Sequence, residues 1–234
     1  MRLPPYRGCV RPIRGTLNRD SPHAMGLSGW WTWNGARVED MLGARIPTVT
    51  GTSSVAADAV MGTYLSTGTD AYVNTGLTGP SGASGLSVSA WVLFPNITSD
   101  SAIIGARGTG WRFSMQGASA GDPLRLTFFG AWDQDSSASG IAANVWTHVA
   151  VTYDVKNVRF FVNGRLLSSH ARTTAVPTTG ALPFFLSAGN NSGTPEMNAG
   201  ARFADTRYYQ RARSDTDIST DYALESRWDL YAPA

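Results

Sequence analysis

The sequence predicts an all-β protein built from antiparallel sheets, and three observations support this prediction. Short apolar runs are separated by clusters of Gly, Pro, Asn, Asp and Ser, as expected for many strands joined by turns. No helical pattern lies between these runs, which argues against parallel βαβ units. Hydrophobic residues make up 42% of the 234 residues and charged residues only 15%, a composition typical of a β-sandwich or barrel.

The apolar runs predict strands along most of the chain after residue 26. In chain order they are LSGWWTW (27–33), VMGTYLST (60–67), AYVNTG (71–76), LSVSAWVLF (86–94), SAIIGAR (101–107), GWRFSMQ (110–116), PLRLTFF (123–129), WTHVAVTY (146–153), NVRFFV (157–162), RLLSSH (165–170), LPFFLSA (182–188) and ARFADTRYYQ (201–210). Each run is short, so the prediction is of many strands of ordinary length.

Two local signals fix particular connections. Asn163 and Gly164 separate two of the runs, and both residues can adopt positive φ, which predicts a type I′ hairpin turn. One helix is predicted over residues 214–226, where Ser214 can serve as the N-cap and Asp217 can complete a capping box.

Residues 1–21 are predicted to form an extended basic arm, and residues 22–234 a single domain. The arginines of the arm are Arg2, Arg7, Arg11, Arg14 and Arg19. Prolines keep the arm extended, and its single aromatic residue, Tyr6, disfavours nucleic-acid binding, which usually needs a series of stacking side chains. We therefore expect the arm to bind a protein partner and to become ordered on binding.

The cysteine count and the hydropathy pattern exclude several classes of protein. Cys9 is the only cysteine, so an internal disulfide framework and a multi-thiolate metal site are excluded, while an intermolecular disulfide stays open. No stretch approaches the roughly 20 apolar residues of a membrane span, and the N-terminus lacks the apolar core of a secretory signal. We expect a protein that is synthesised in the cytoplasm without a signal peptide and does not bind a membrane.

Four segments together resemble the laminin-G-like, concanavalin-A-like jelly-roll domains. They are LSVSAWV (86–92), WTHVAVTYD (146–154), VRFFVNGRLL (158–167) and ARFADTRYYQRARSDTDI (201–218), in the order and spacing of that family. The family's closing segment is matched by Asp205, Arg207, Tyr209, Arg211, Ala212 and Ser214, whereas Asp217 stands where the family usually has Glu. The resemblance covers about residues 22–222 and implies an antiparallel two-sheet jelly-roll sandwich with one short C-terminal helix.

The two ends of the sequence carry a narrower resemblance. LNRDSPHAMGLSGWW (17–31) and SRWDLYAP (226–233) are similar to the beginnings and ends of laminin-G-like proteins encoded by tailed bacteriophages. This similarity implies a virion protein.

Catalysis is not expected. Jelly-roll glucanases place two carboxylates on one strand, but Glu39, Glu196 and Glu225 are the only glutamates and none lies in such a run. No Gly-x-Ser-x-Gly nucleophile elbow is present, and His148 is predicted to be hydrogen-bonded within the sandwich. The prediction is therefore a protein that is not an enzyme and needs no cofactor.

The loops supply the candidate ligand-binding residues. Trp132, beside Asp133 and Gln134 in a predicted loop, is the best candidate for stacking on a sugar, with amides from Asn190 and Asn191. Asp133 and Asp135 are candidate calcium ligands, with Asn190, Asn191 and Glu196 as further ligands, although these residue types are also ordinary turn residues. The tryptophans within strands, namely Trp30, Trp31, Trp91 and Trp146, are expected to fill the core.

Two functions follow from these observations. The first is a non-enzymatic bacteriophage structural protein, a decoration protein on the virion exterior, tethered through its arm to the major capsid protein or another virion protein as a homo-oligomer. The alternative is a lectin-like module that binds host-surface polysaccharide, in a phage fibre or a bacterial adhesion protein. The fold serves both functions, so fold alone does not choose between them.

Overall fold

The structure, a computed structural model, describes residues 16–34, 37–43, 45–58, 61–67, 71–78, 84–98, 100–105, 110–117, 121–177, 183–187, 200–223 and 230–232. Its strands are β1 (Thr16–Leu17), β2 (Leu27–Asn34), β3 (Arg37–Asp40), β4 (Thr48–Thr50), β5 (Ser53–Asp58), β6 (Gly62–Thr67), β7 (Tyr72–Thr78), β8 (Leu86–Leu93), β9 (Ser101–Gly105), β10 (Trp111–Met115), β11 (Leu124–Phe128), β12 (Trp132–Asp135), β13 (Thr147–Tyr153), β14 (Asn157–Val162), β15 (Arg165–Ala171), β16 (Pro183–Leu186), β17 (Arg202–Tyr209) and β18 (Tyr231–Ala232). A 3₁₀-helix spans Pro22–Ala24 and the helix α1 spans Asp215–Tyr222.

The strands within these ranges form two large antiparallel sheets and a two-stranded ribbon. One sheet has the order β12-β11-β10-β9-β16-β7-β4. The other has the order β15-β14-β13-β8-β17-β2-β3, and the β5–β6 hairpin joins it through pairing of β6 with β17. The all-β jelly-roll sandwich predicted from the sequence is confirmed.

The core lies between the two sheets and follows the two-residue alternation of strands. Large side chains of the nine-stranded sheet point inward, among them Trp31, Val151 and Tyr208, and meet Trp111 and Phe184 of the seven-stranded sheet. Most of these side chains have no exposed surface, so the apolar runs of the sequence are explained by burial.

Every predicted apolar run overlaps a strand, but the apolar pattern does not predict six further strands, namely β1, β3, β4, β5, β12 and β18. Several of these strands have polar sequences, such as TVT in β4 and SSVAAD in β5. Such segments lie at sheet edges or in an added hairpin, where one side faces solvent and little apolar periodicity remains for a sequence pattern to detect.

The predicted turn and the predicted helix start are both confirmed. Asn163 and Gly164 adopt positive φ of 49° and 72°, as a type I′ turn requires. Ser214 caps α1 and forms a reciprocal capping box with Asp217. The helix ends at Tyr222 rather than at residue 226, and residues 224–229 lie outside the described ranges.

The described part of the predicted arm is attached to the domain. β1 pairs with β18, and the Asn18 amide donates to the carbonyl of Leu230 at 2.7 Å. Residues 1–15, which include most of the arm, lie outside the described ranges, so the arm and its boundary at residue 21 stay predictions. In the described ranges, no helix is both long and apolar enough to span a bilayer.

Candidate functional site

The sequence predicts that Trp132 lies in a loop, but in the structure it lies in the edge strand β12. Its ring stacks on Phe128 of the core, with centroids 4.2 Å apart, and meets Tyr153 edge-on. The guanidinium of Arg172 lies 5.9 Å from the ring centroid. The indole therefore closes the edge of the core, and its contact with a glycan stays a prediction.

The neighbours of Trp132 point in alternating directions because they belong to a strand. Gln134 is buried and donates to the backbone carbonyl of Asp135 at 2.8 Å. Asp133 and Asp135 lie beside Arg125, which forms a bidentate contact with Asp135 at 2.5 and 2.7 Å and a looser one with Asp133 at 3.7 Å. The hydrogen bonds that Arg125 donates to Asp135 are the main cause of the raised pKa of Arg125.

Among the described residues, the fold does not complete a calcium site around the predicted ligands Asp133 and Asp135. Within the part of the chain that the structure describes, no group of three or more His, Cys, Asp or Glu side chains is arranged to hold a metal ion. The further candidates Asn190, Asn191 and Glu196 lie outside the described ranges, so calcium and glycan contacts at these residues stay predictions. Arg125 already engages both aspartates that are described.

Among the arm residues, Arg19 is described, and its side chain is exposed. It lines a groove of about 650 Å³ beside β3, together with residues such as Glu39, Arg45 and Ile46. Arg45 contacts the buried Asp40 at 3.4 Å. Arg2, Arg7, Cys9, Arg11 and Arg14 lie outside the described ranges, and their predicted role in partner binding stays a prediction.

A buried ion network joins the outer face of the nine-stranded sheet to α1. Arg207 contacts Asp205 at 2.7 Å and Asp221 at 2.9 Å, and Arg213 contacts the second oxygen of Asp221 at 2.8 Å. Asp205 also accepts from the indole nitrogen of Trp30 at 2.7 Å. The closing segment that resembles the laminin-G-like family is therefore a structural device that fixes the helix on the sheet.

The charges of the network carry a desolvation cost, because the side chains of Asp205, Arg207, Arg213 and Asp221 are almost completely buried. Burial alone would lower the pKa of Arg207, but the charges of Asp205 and Asp221 raise it above its ordinary value. Each guanidinium thus has carboxylate partners, which is the condition under which buried charges are tolerated.

The sequence predicts that His148 is hydrogen-bonded within the sandwich, and in the structure it lies on the outer face of the nine-stranded sheet, paired with Trp91 of β8. Its ring is buried, and its Nδ1 atom has no hydrogen-bond partner among the described residues. Burial, with the nearby charge of Arg207, lowers its pKa from 6.5 to about 3, so the ring is neutral at physiological pH.

Next to the network lies a group of aromatic side chains, which we call the aromatic patch. It consists of Tyr64, Trp91, Trp146, His148 and Tyr222. Trp91 and Tyr222 stack at 5.5 Å, and Tyr64 meets Trp146 edge-on at 5.6 Å. Trp91 also meets His148 edge-on at 5.5 Å.

Several elements position the patch. Tyr64 lies on β6 and Trp91 on β8, while Trp146 immediately precedes β13 and Tyr222 ends α1. Asp221 of the ion network directly precedes Tyr222. The buried Gly164 of the hairpin turn packs against Tyr222, because a Cβ on Gly164 would lie 2.8 Å from the Tyr222 Cβ. The network and the hairpin therefore hold Tyr222 over Trp91.

The patch has features of a ligand-binding surface. Trp146 and Tyr222 are partly exposed, whereas Trp91 and Tyr64 are buried beneath them. The indole nitrogens of Trp91 and Trp146 have no hydrogen-bond partner within the described ranges. Both nitrogens are buried, so the surface that the patch offers to a ligand is the exposed part of the Trp146 and Tyr222 rings.

The sequence predicts Trp91 and Trp146 in the core and does not single out Tyr64 or Tyr222. Trp30, Trp31 and Trp91 are buried as predicted, but Trp30 and Trp91 lie on the outer face rather than between the sheets. One signal was available: in LSVSAWV, Trp91 alternates with Val88, Ala90 and Val92, so a two-residue period already places it on the opposite face.

Comparisons with known proteins identify relatives of the fold. The family model described as the concanavalin A-like lectin/glucanases superfamily matches residues 65–219. A search of curated proteins finds no match.

Solved structures with this fold include several binding domains. Domain 4 of AbnA, an extracellular GH43 arabinanase from Geobacillus stearothermophilus, solved with arabinotriose, is 20% identical with a TM-score of 0.68, covering 84% of this chain and 98% of that one. The binding domain of Paraclostridial Mosquitocidal Protein 1 is 14% identical with a TM-score of 0.66, covering 85% and 52%. The binding domain of Botulinum neurotoxin DC, solved with rat synaptotagmin II, is 14% identical with a TM-score of 0.60, covering 86% and 52%. This chain thus spans about half the length of the two toxin domains.

Proposed function

The chain belongs to the concanavalin A-like lectin/glucanases superfamily, and on that premise we propose that it is a non-catalytic module that binds carbohydrate through the aromatic patch. The observation that carries the proposal is the pair of partly exposed rings, Trp146 and Tyr222, on one face of the sheet and backed by the buried rings of Tyr64 and Trp91. Partly exposed aromatic rings of this kind can stack on the apolar faces of sugar rings.

The relatives support the same kind of activity. The arabinanase domain was solved with arabinotriose, and the toxin domains are binding domains, one of them solved with synaptotagmin II. None of these descriptions assigns catalysis to the matched domain. A binding module is therefore the function that the fold and the patch support together.

The arrangement of carboxylates supports a role without catalysis. Retaining glycosidases need two carboxylates about 5–5.5 Å apart with the substrate between them. In the described residues, Asp205 and Asp221 are bridged by Arg207, and Asp133 and Asp135 share Arg125. In both pairs the two carboxylates contact the same guanidinium.

A glycan array followed by calorimetric titration tests the proposal. We expect binding of at least one oligosaccharide class, and we expect Trp146→Ala to weaken it about tenfold or more, as the loss of a central aromatic contact usually does. Trp132→Ala is the matched control, because it also removes a partly exposed indole but lies on the other sheet. The proposal fails if no glycan binds, or if Trp132→Ala weakens binding and Trp146→Ala does not.

The phage-like ends of the sequence support a second proposal, that the module is displayed on a virion exterior. The arm would then tether it to the major capsid protein or another virion protein, and several copies would assemble so that weak contacts reinforce one another. β1 and β18 pair, so residues 1–15 join the domain next to its C-terminal end. A tether at that place leaves the domain's own strands intact.

Deleting residues 1–15 tests this second proposal, because the deletion keeps β1. The truncated protein is expected to fold, with an unchanged melting temperature, but to be missing from purified particles by mass spectrometry. Incorporation of the truncated protein at the normal level would show that the arm is not the tether. The absence of the full-length protein from particles would contradict the virion assignment itself.

A further inference from the structure

Arg202 lies at the border of the aromatic patch. It is the first residue of β17 and shares the outer face with Ala204, which packs within the patch beside Tyr64 and Trp91. Its guanidinium carbon is 5.1 Å from the centroid of the Tyr64 ring. Trp146 contacts the same tyrosine, so the cation and the partly exposed indole both pack on Tyr64.

The charge of Arg202 is not neutralised within the described ranges. Arg207 and Arg213 of the same face are paired with Asp205 and Asp221, but Arg202 forms no salt bridge with a described carboxylate. Its side chain is half-buried, so its charge is less well hydrated than that of a fully exposed arginine. An anionic group brought by a ligand would therefore gain more here than at an exposed position.

We propose that the aromatic patch selects glycans that carry a carboxylate, in a uronic acid or a sialic acid, and that Arg202 is the group that recognises it. The ring of such a sugar stacks on Trp146, while its carboxylate accepts two hydrogen bonds from the planar guanidinium. A carboxylate fits this fork in a bidentate geometry that a sugar hydroxyl cannot match. This inference rests on the proposed carbohydrate-binding function.

The test compares each acidic glycan with its neutral counterpart. Tetragalacturonate and 3′-sialyllactose are titrated calorimetrically beside their carboxyl-reduced forms, together with a panel of neutral oligosaccharides. We expect at least one acidic glycan to bind about tenfold more tightly than its reduced form, the effect of a charge-assisted contact. The two acidic probes distinguish a uronic acid from a sialic acid as the ligand.

Two substitutions of Arg202 separate charge from geometry. Arg202→Gln should abolish the preference, so that the acidic and the reduced form bind this variant with similar affinity, and Arg202→Lys should retain only part of the preference. Arg19→Gln is the matched control, because it removes the same charge from an exposed position beside β3, at the other edge of the sheet. Thermal melting of each variant checks that the sandwich is folded.

The outcomes distinguish this inference from the function on which it rests. If an acidic glycan binds more tightly than its reduced form, and this preference disappears in Arg202→Gln but persists in Arg19→Gln, both proposals are supported. Equal binding of acidic and reduced forms, or binding of neutral oligosaccharides alone, overturns the carboxylate preference and leaves the carbohydrate-binding proposal standing. A protein that binds no glycan in the panel overturns both.

Discussion

The Trp132 edge and the aromatic patch contain the same kinds of residue in two different arrangements. Each has a partly exposed tryptophan whose indole nitrogen has no described partner, and each lies near an arginine–aspartate cluster. At the edge, Trp132 stacks on Phe128, and Asp133 and Asp135 lie on the other face of the strand. In the patch, rings from β6, β8, the segment before β13 and α1 converge on one face.

This comparison shows why adjacency in sequence is a poor guide to a site on a β-sheet. Trp132, Asp133 and Gln134 are consecutive, but in a strand Asp133 points to the face opposite Trp132 and Gln134, and Gln134 is buried, so the three side chains cannot contact one ligand together. Apart from Trp146 and His148, the residues of the patch are far apart in sequence, and they are brought together by strand pairing and by the helix. If the geometry matters, residues that hold the aromatic patch in place should contribute more to stability than the matching residues near Trp132.

The largest expected difference concerns the two ion clusters. Asp221→Ala leaves Arg207 and Arg213 buried without a shared partner, and we expect a loss of about 3–5 kcal/mol in the free energy of unfolding. Asp135→Ala removes a carboxylate that is 38% exposed and should cost less than about 1 kcal/mol. Urea unfolding of both variants measures the contrast, and equal losses would contradict the structural role given to the network.

The hairpin turn is expected to have the next largest effect. Gly164→Ala places a Cβ 2.8 Å from that of Tyr222 at a residue with φ of 72°, so we expect a loss of about 2 kcal/mol or more and a displaced Tyr222. Gly130→Ala is the matched control beside Trp132, because Gly130 also has positive φ, 77°, but nothing lies within 4 Å of its Cβ. Its loss should be limited to the backbone cost, about 1 kcal/mol.

If Gly130→Ala and Gly164→Ala destabilise the protein equally in urea, the turn does not support Tyr222. Near-ultraviolet circular dichroism adds a readout of the aromatic packing. Only Gly164→Ala should change it.

A smaller change in stability is expected when the pH is lowered, because His148 is buried in its neutral form. Its folded pKa of about 3 lies below the ordinary value of 6.5, so between these values the unfolded chain binds the extra proton. The stability that this neutral ring provides is present above pH 6.5 and is lost as pH falls towards 3. From pH 6.5 to 5.5 the loss is about 1 kcal/mol.

The variant His148→Phe keeps an aromatic ring against Trp91 and cannot titrate. Between pH 6.5 and 5.5, the free energy of unfolding of this variant should fall by about 1 kcal/mol less than that of the unsubstituted protein, as measured by urea unfolding at both pH values. His170→Phe, on β15, leaves His148 in place and should retain the dependence. An unchanged pH dependence in His148→Phe would show that the ring is not forced to be neutral.

The sequence was sufficient for the sandwich because its strands are buried and their apolar residues recur along the chain. It also gave the turn at Asn163 and Gly164 and the cap at Ser214, where a local motif dictates the backbone. It did not give β12, whose sequence WDQD has no apolar alternation. Nor did it give the patch, because Tyr64, Trp146 and Tyr222 become neighbours only after β6, β13 and α1 are assembled.

The most direct test of the account follows the indole N–H signals of the eight tryptophans by NMR while a glycan that binds is added. The signals are assigned with single Trp→Phe variants. The account predicts that the Trp146 and Trp91 signals shift with saturation at the measured affinity, and that the Trp132 signal does not move. A shift of Trp132 with unmoved Trp91 and Trp146 signals would place the binding site at the sheet edge and contradict the account.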